Sequence, residues 1–132
     1  MVKTINLTSD LDGLIKLEGR GPNTTEEEAQ SSFMALSDFR DGGLYAAHFS
    51  GTSGWEKHPK GDEIVQILEG ETLLEIIVND EIEAHYLKSG SLLVVPQDCW
   101  HRFTSKTGVK VWTATPRPTQ HLHVDDPRKV GS

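Results

Sequence analysis

Between Phe33 and Thr115 the chain is a succession of short apolar stretches cut by turn residues, and this punctuation restricts its fold most. Segments 33–39, 44–50, 63–69, 72–79, 81–87, 91–95, 101–104 and 109–115 are rich in Val, Ile, Leu and aromatic residues. They are divided by Asp41-Gly42-Gly43, Lys60-Gly61-Asp62, Glu69-Gly70-Glu71, Asn79-Asp80 and Ser89-Gly90, which are turn-forming residue types. Within 72–78, Thr72, Leu74, Ile76 and Val78 share one face of a strand, and Leu73, Glu75 and Ile77 share the other. Neither face is fully polar, so this strand is expected to be covered on both sides. Many short strands with almost no helix predict an all-β sandwich or barrel, and the length favours one closed unit of eight to ten strands. The first third is less patterned. Ile5 and Leu7, then Leu14, Ile15 and Leu17, suggest short strands. Thr25 and Glu28 stand at capping-box spacing, with room for about one helical turn or a solvated turn around Glu26-Glu27-Glu28.

At 132 residues and 14.6 kDa the chain is expected to be a single domain over 1–132, able to bury about two-thirds of its extended surface. No apolar run approaches the roughly 18 residues that span a bilayer, and MVKTINLTSD lacks a signal peptide's apolar core. No membrane association and a cytoplasmic location are therefore expected. Cys99 is the one cysteine, which excludes an internal disulfide and any zinc site built from several thiolates. The net charge is −7, and it is unevenly spread. Nine carboxylates and two lysines lie between Glu56 and Glu83, whereas six bases and two acids follow from Arg102 onward. Such a chain offers no basic face to phosphates, so nucleic acid is not an expected partner.

The chemistry-bearing residues are concentrated in Trp55-Glu56-Lys57-His58-Pro59-Lys60-Gly61-Asp62-Glu63. Glu56 and His58 are two apart and share one face of an extended strand. Pro59, Gly61 and Asp62 then turn the chain, so Glu63 opens the next strand within reach of the imidazole. Farther on, Gly90-Ser91-Leu92-Leu93-Val94-Val95-Pro96 ends at a proline, and Gln97-Asp98-Cys99-Trp100 delivers His101 to another strand. Two imidazoles and at least one glutamate can converge from two hairpins.

These segments resemble the two signature motifs of the cupin superfamily. Against the first, Glu56 stands at the first histidine, His58 at the second, Glu63 at the glutamate and Gly70 at the closing glycine. Against the second, Gly90, Pro96 and His101 match in register, nineteen residues after the first. Ser50 takes the leading glycine position, Asp98 replaces a glycine and Ser105 an asparagine; Glu56 for histidine is the departure that touches function. The resemblance implies a jelly-roll, double-stranded β-helix barrel, with motif 1 at about 51–70 and motif 2 at about 90–105. Residues 1–32 are then an N-terminal strap and 116–132 a C-terminal extension. It also implies one divalent metal ion on His58, Glu63 and His101, with Glu56 as a fourth ligand or a catalytic base. Two histidines with carboxylates suit Fe(II) or Mn(II), with Zn(II) or Ni(II) also accommodated.

His48, Phe103 and Trp112 are candidate pocket residues, although a lone strand histidine such as His48 is more often a satisfied core or rim side chain. Tyr45, Trp55 and Trp100 could add to an aromatic wall, of which one or two members are expected to meet a ligand. His85 is assigned to a solvent or interface face, His121-Leu122-His123 to a surface extension, and Cys99 to a small buried position. Glu69, Glu71 and Glu75 are expected to be solvated. Gly51-Thr52-Ser53-Gly54 is not a hydrolase elbow, and no phosphate loop is present. Apolar residues on both faces of 63–69 and 72–79 suggest a homodimer, with the N-terminal third strapped onto the partner. The expected function is that of a small metal-binding protein, acting as a dioxygenase or isomerase on a small organic acid, sugar or carbonyl compound. The alternative is a non-catalytic ligand binder or structural barrel.

Overall fold

The computed structural model describes residues 2–130, and among them the apolar stretches pair into one nine-stranded sheet. In chain order the strands are β1 (Leu17–Arg20), β2 (Phe33–Phe39), β3 (Gly42–Thr52), β4 (Trp55–Lys57) and β5 (Glu63–Val78), then β6 (Glu81–Lys88), β7 (Leu92–Val95), β8 (His101–Pro116) and β9 (Gln120–Leu122). One four-residue helix, α1 (Glu26–Ala29), carries the expected capping box between Thr25 and Glu28. No helix among the described residues is long and apolar enough to cross a membrane.

Two strands of sixteen residues, β5 and β8, form the frame. Each fuses two of the expected segments, because Gly70 and Gly108 do not end their strands but bulge them. Gly70 has φ +77°, and a Cβ there would run into the carbonyl oxygen of Gly108. The β5–β8 ladder is antiparallel, pairing Ile64 with Ala114 at one end and Ile76 with His101 at the other. A straight ladder of that length spans about 40 Å. Nevertheless Glu63 and His101, at its opposite ends, touch at 3.1 Å. The ladder therefore curls round on itself through the bulges, which is the coil of an all-β jelly roll.

Hydrogen bonding does not close this coil, contrary to the expected closed unit. β2 pairs only with β3, β6 and β7 only with β5, and β9 only with β4. Closure comes from side chains instead. Phe49, Val65, Ile67, Leu74, Ile76 and Phe103 belong to the buried interior cluster, as period-two alternation along β3, β5 and β8 requires.

A second cluster covers the outer face and corrects the expectation for the N-terminus. Leu11 and Leu14 pack on Leu36 and Ala46, with Leu44, Leu68 and Trp112 against them. The N-terminal segment thus straps its own sheet, which occupies the apolar face proposed for a partner. Strands do not form at Ile5, Leu7 and Leu14; residues 7–13 are turns. The Asn6 side-chain oxygen accepts from the backbone N–H groups of Thr8 and Ser9 at 3.0 and 2.8 Å, a local alternative to strand pairing. Ile64, Leu92 and Val94 stay exposed at the uncovered end of this face.

Replacing Gly70 by Ala forces a left-handed conformation on a Cβ-bearing residue and drives the two strands apart. A stability loss of at least about 1–2 kcal/mol is expected, read as a fall of several degrees in the thermal midpoint. An unchanged midpoint would show that the bulge does not depend on glycine.

Candidate metal centre

His58 follows β4, Glu63 opens β5 and His101 opens β8, so three separate junctions deliver the three side chains. The two histidine loops are sewn together. Asp62 Oδ1 accepts from the Gln97 N–H at 2.7 Å, the Asp98 N–H donates to the His58 carbonyl at 3.0 Å, and Gln97 Nε2 donates to the Pro59 carbonyl at 2.8 Å. The turn residues between the ligand candidates therefore fix one hairpin against the other.

The three side chains are buried, with exposures of 2% for His58, 4% for Glu63 and 1% for His101. His58 Nε2 lies 3.2 Å from Glu63 Oε2, His101 Nε2 lies 3.1 Å from Glu63 Oε1, and the imidazole centroids are 5.0 Å apart. Glu56 sits opposite His101 in register on β4. Ligand atoms of Glu56, His58 and His101 fall within 4.8 Å of one another.

The outward-turned atoms of each side chain are held. His101 Nδ1–H donates to the Cys99 carbonyl at 3.0 Å, the Thr119 hydroxyl lies 3.0 Å from His58 Nδ1, and the Thr115 hydroxyl donates to Glu63 Oε2 at 2.6 Å. The inward-turned atoms are not: His58 Nε2, His101 Nε2 and Glu63 Oε1 are buried without a well-aligned hydrogen bond. Buried polar atoms left in this state are costly. Imidazoles oriented through one nitrogen, with the other free, are the usual preparation for a metal. The spacing agrees, since ligands about 2.1 Å from a cation and at right angles stand about 3.0 Å apart. The residues fit a divalent ion.

Without an ion, the imidazoles themselves balance the carboxylate. Burial pushes the Glu63 carboxyl up, but contacts with His101 and His58 outweigh it and hold the group at about 2. Burial pulls His101 down, and the Glu63 contact more than reverses this, leaving it raised. A carboxylate kept ionised in the interior requires positive charge beside it, from protons on the imidazoles or from a cation.

A cavity of about 200 Å³ adjoins the centre; its walls include Tyr45, Phe49, Glu56, Glu63, Phe103 and His121. Neither His58 nor His101 lines it. Of the anticipated pocket residues, Phe103 and Tyr45 are there, but His48 and Trp112 are not. Ala47 and Phe49 belong to the interior cluster, so alternation turns His48 to the outer face, where burial first and then Lys110 lower its pKa. Trp112 faces outward too, its indole N–H donating to Gln66 Oε1 at 2.7 Å.

Trp55 is buried with Arg102 over its ring, and Trp100 carries Lys57 over its own. Glu75 is half-buried rather than solvated, because Arg102 donates to it twice. His85 pairs with Glu83 at the surface. Burial, then Asp98, raises the Cys99 thiol, which leaves it a weak nucleophile. His121, Thr115 and Thr119 were not anticipated at the site. His121 reaches it because β9 pairs with β4, with Glu56 opposite His121. Its i, i+2 spacing with His123 was the available signal, but nothing local announces a return of the tail to the sheet.

A model of the cupin domain matches residues 47–114, which is 68 of the chain's 132 residues. An uncharacterized protein of Bacillus subtilis (strain 168), YdbB, is 32% identical over 80 residues, covering 61% of this chain and 68% of the relative. Oxalate oxidase in complex with the substrate analogue glycolate superposes with a TM-score of 0.55 at 20% identity. That match covers 61% of this chain and 45% of the oxidase, so the chain spans less than half of that protein. Hydroquinone 1,2-dioxygenase from Sphingomonas sp. TTNP3, with 4-hydroxybenzoate bound, gives 0.56 at 15% identity, over 70% of this chain and 67% of the other. These two structural likenesses show a shared fold. With the jelly-roll coil in place and the family model extending over half of its length, the chain belongs to the cupin superfamily.

Proposed function

We propose that the chain is a metal-dependent enzyme of the dioxygenase or isomerase type, acting on a small organic acid, sugar or carbonyl compound. One divalent ion would be held by His58, Glu63 and His101, with Glu56 as a fourth ligand or as a base at the cavity floor. The observation that carries this is a buried His58–Glu63–His101 cluster whose facing atoms, 3.1–3.2 Å apart, touch only one another and make no well-aligned hydrogen bond, each on a side chain oriented from behind. Bound there, the ion supplies Lewis-acid or redox chemistry beside the cavity. Two imidazoles with carboxylates suit Fe(II) or Mn(II), and Zn(II) or Ni(II) are also compatible. The chain's own residues position and exclude. Thr115 and Thr119 orient Glu63 and His58, and Phe49 and Phe103 give the cavity an apolar wall. Glycolate and 4-hydroxybenzoate, held by the two fold relatives, are both small hydroxylated carboxylates. A homodimer belongs to the same proposal, supported by the exposed apolar side chains of Ile64, Leu92 and Val94.

A second reading, binding without turnover, is favoured by the 1–2% exposure of the imidazoles and their absence from the cavity wall. Protein purified without a metal-affinity tag should carry about one Fe, Mn, Zn or Ni per chain by elemental analysis. Substituting His101→Ala should remove the metal while the far-ultraviolet circular dichroism of the sheet persists. Repeated absence of metal, with no binding on titration of the metal-free protein, would overturn the proposal. Metal without dioxygen uptake or isomerisation across an acid and sugar panel would leave the binding reading.

The Thr115 hydroxyl gives a finer test. Thr115→Val removes the hydroxyl that donates to Glu63 Oε2 and should weaken metal affinity about ten- to hundredfold in competition with a chelator. Affinity unchanged by this substitution would remove Thr115 from the centre.

A further inference from the structure

Arg20 lines the same cavity as Glu56 and Glu63, and among the described residues its guanidinium has neither a hydrogen-bond nor an ion-pair partner. Its place is fixed by backbone contact. β1 runs parallel to β3 with Arg20 beside Gly51, where any Cβ would collide with the Arg20 backbone. The guanidinium carbon lies 4.9 Å from the Phe33 ring centre and 4.7 Å from that of Phe49. Those two rings are stacked, and Phe103 meets Phe49 edge-on. Burial holds Arg20 below the usual arginine value, with the charge of Glu56 working against that from beyond contact distance.

The charges around the cavity leave one positive unit over. A divalent ion is balanced by Glu63 and Glu56, a step that rests on the proposed metal centre. Arg117, the other arginine on the wall, donates to the Tyr45 hydroxyl at 2.8 Å and stands 3.5 Å from Asp38. Arg20 is left with open donors on an aromatic shelf. One guanidinium matches the two oxygens of a carboxylate and is too little for a dianion.

We infer that Arg20 is an anion anchor, holding the carboxylate of a small monocarboxylic acid whose apolar body lies against Phe33, Phe49 and Phe103 and whose far end points to the Glu56–Glu63 floor.

The test is calorimetric titration of the full chain, metal-loaded and metal-free, with acetate, isobutyrate, benzoate and the uncharged isostere benzamide. At least one carboxylate should bind saturably, and benzamide at least tenfold more weakly than benzoate. Arg20→Gln should lower carboxylate affinity at least tenfold with metal content unchanged, and Arg20→Lys should recover part of it. If Arg20→Gln fails to fold, the comparison of benzoate with benzamide on the unaltered chain decides. No carboxylate binding, equal binding of benzoate and benzamide, or full affinity in a folded Arg20→Gln protein overturns the anchor. Metal at one per chain without carboxylate binding defeats the anchor and leaves the metal centre standing. Arg20-dependent binding in a chain that never takes up metal upholds the anchor and defeats the centre.

Discussion

The ionised carboxylate of Glu63, 4% exposed and wedged between two imidazoles, is the constraint on which the arrangement turns. An unmatched charge at that depth is prohibitively costly, so the interior must supply either protons or a cation to meet it. Everything nearby serves the match. The Asp62–Gln97 and Asp98–His58 backbone links hold the two histidine loops in register, and Thr115 takes up the remaining lone pair of Oε2. A fold that merely buried apolar surface would not need these polar connections.

That charge cluster also explains why two bent strands, rather than many straight ones, dominate the architecture. Glu63 begins β5, His101 begins β8, and in an antiparallel pair the beginnings lie at opposite ends. Only a ladder that coils can bring them together. Coiling needs bulges, and bulges at a close crossing need residues without side chains, which is where Gly70 and Gly108 stand. The glycine punctuation and the acid–imidazole contact are thus two views of one geometric requirement.

Much of this was legible in the amino-acid order. The segments at 33–39 and 81–87 coincide with β2 and all but the last residue of β6, because alternation and flanking turn residues agree there. The convergence of His58, Glu63 and His101 on one cluster was legible because turn residues and chemistry-bearing residues coincide over short spans. Legibility failed where a residue's role is set by distant pairing. Gly70 read as a turn between two strands, and 105–108 as a gap between two more, though Gly70 and Gly108 only bulge the continuous strands β5 and β8. His48 looked free to enter the interior, but alternation on β3 is set by Ala47 and Phe49, and it places the ring outside. His121 and Arg20 arrive from the two ends of the chain through β9 and β1, and no local pattern announces either journey. Trp112 shows the converse, an aromatic in a core strand whose outer face the N-terminal segment covers.

Because the two ends of the curled ladder meet at one small cluster, an ion held there would act as a clasp on the entire wrap. An unfolded chain holds Glu63 and His101 apart, so every increment of ion affinity becomes resistance to uncoiling. On the proposed metal centre, the coil's resistance to opening would therefore rise and fall with the occupancy of that one cluster.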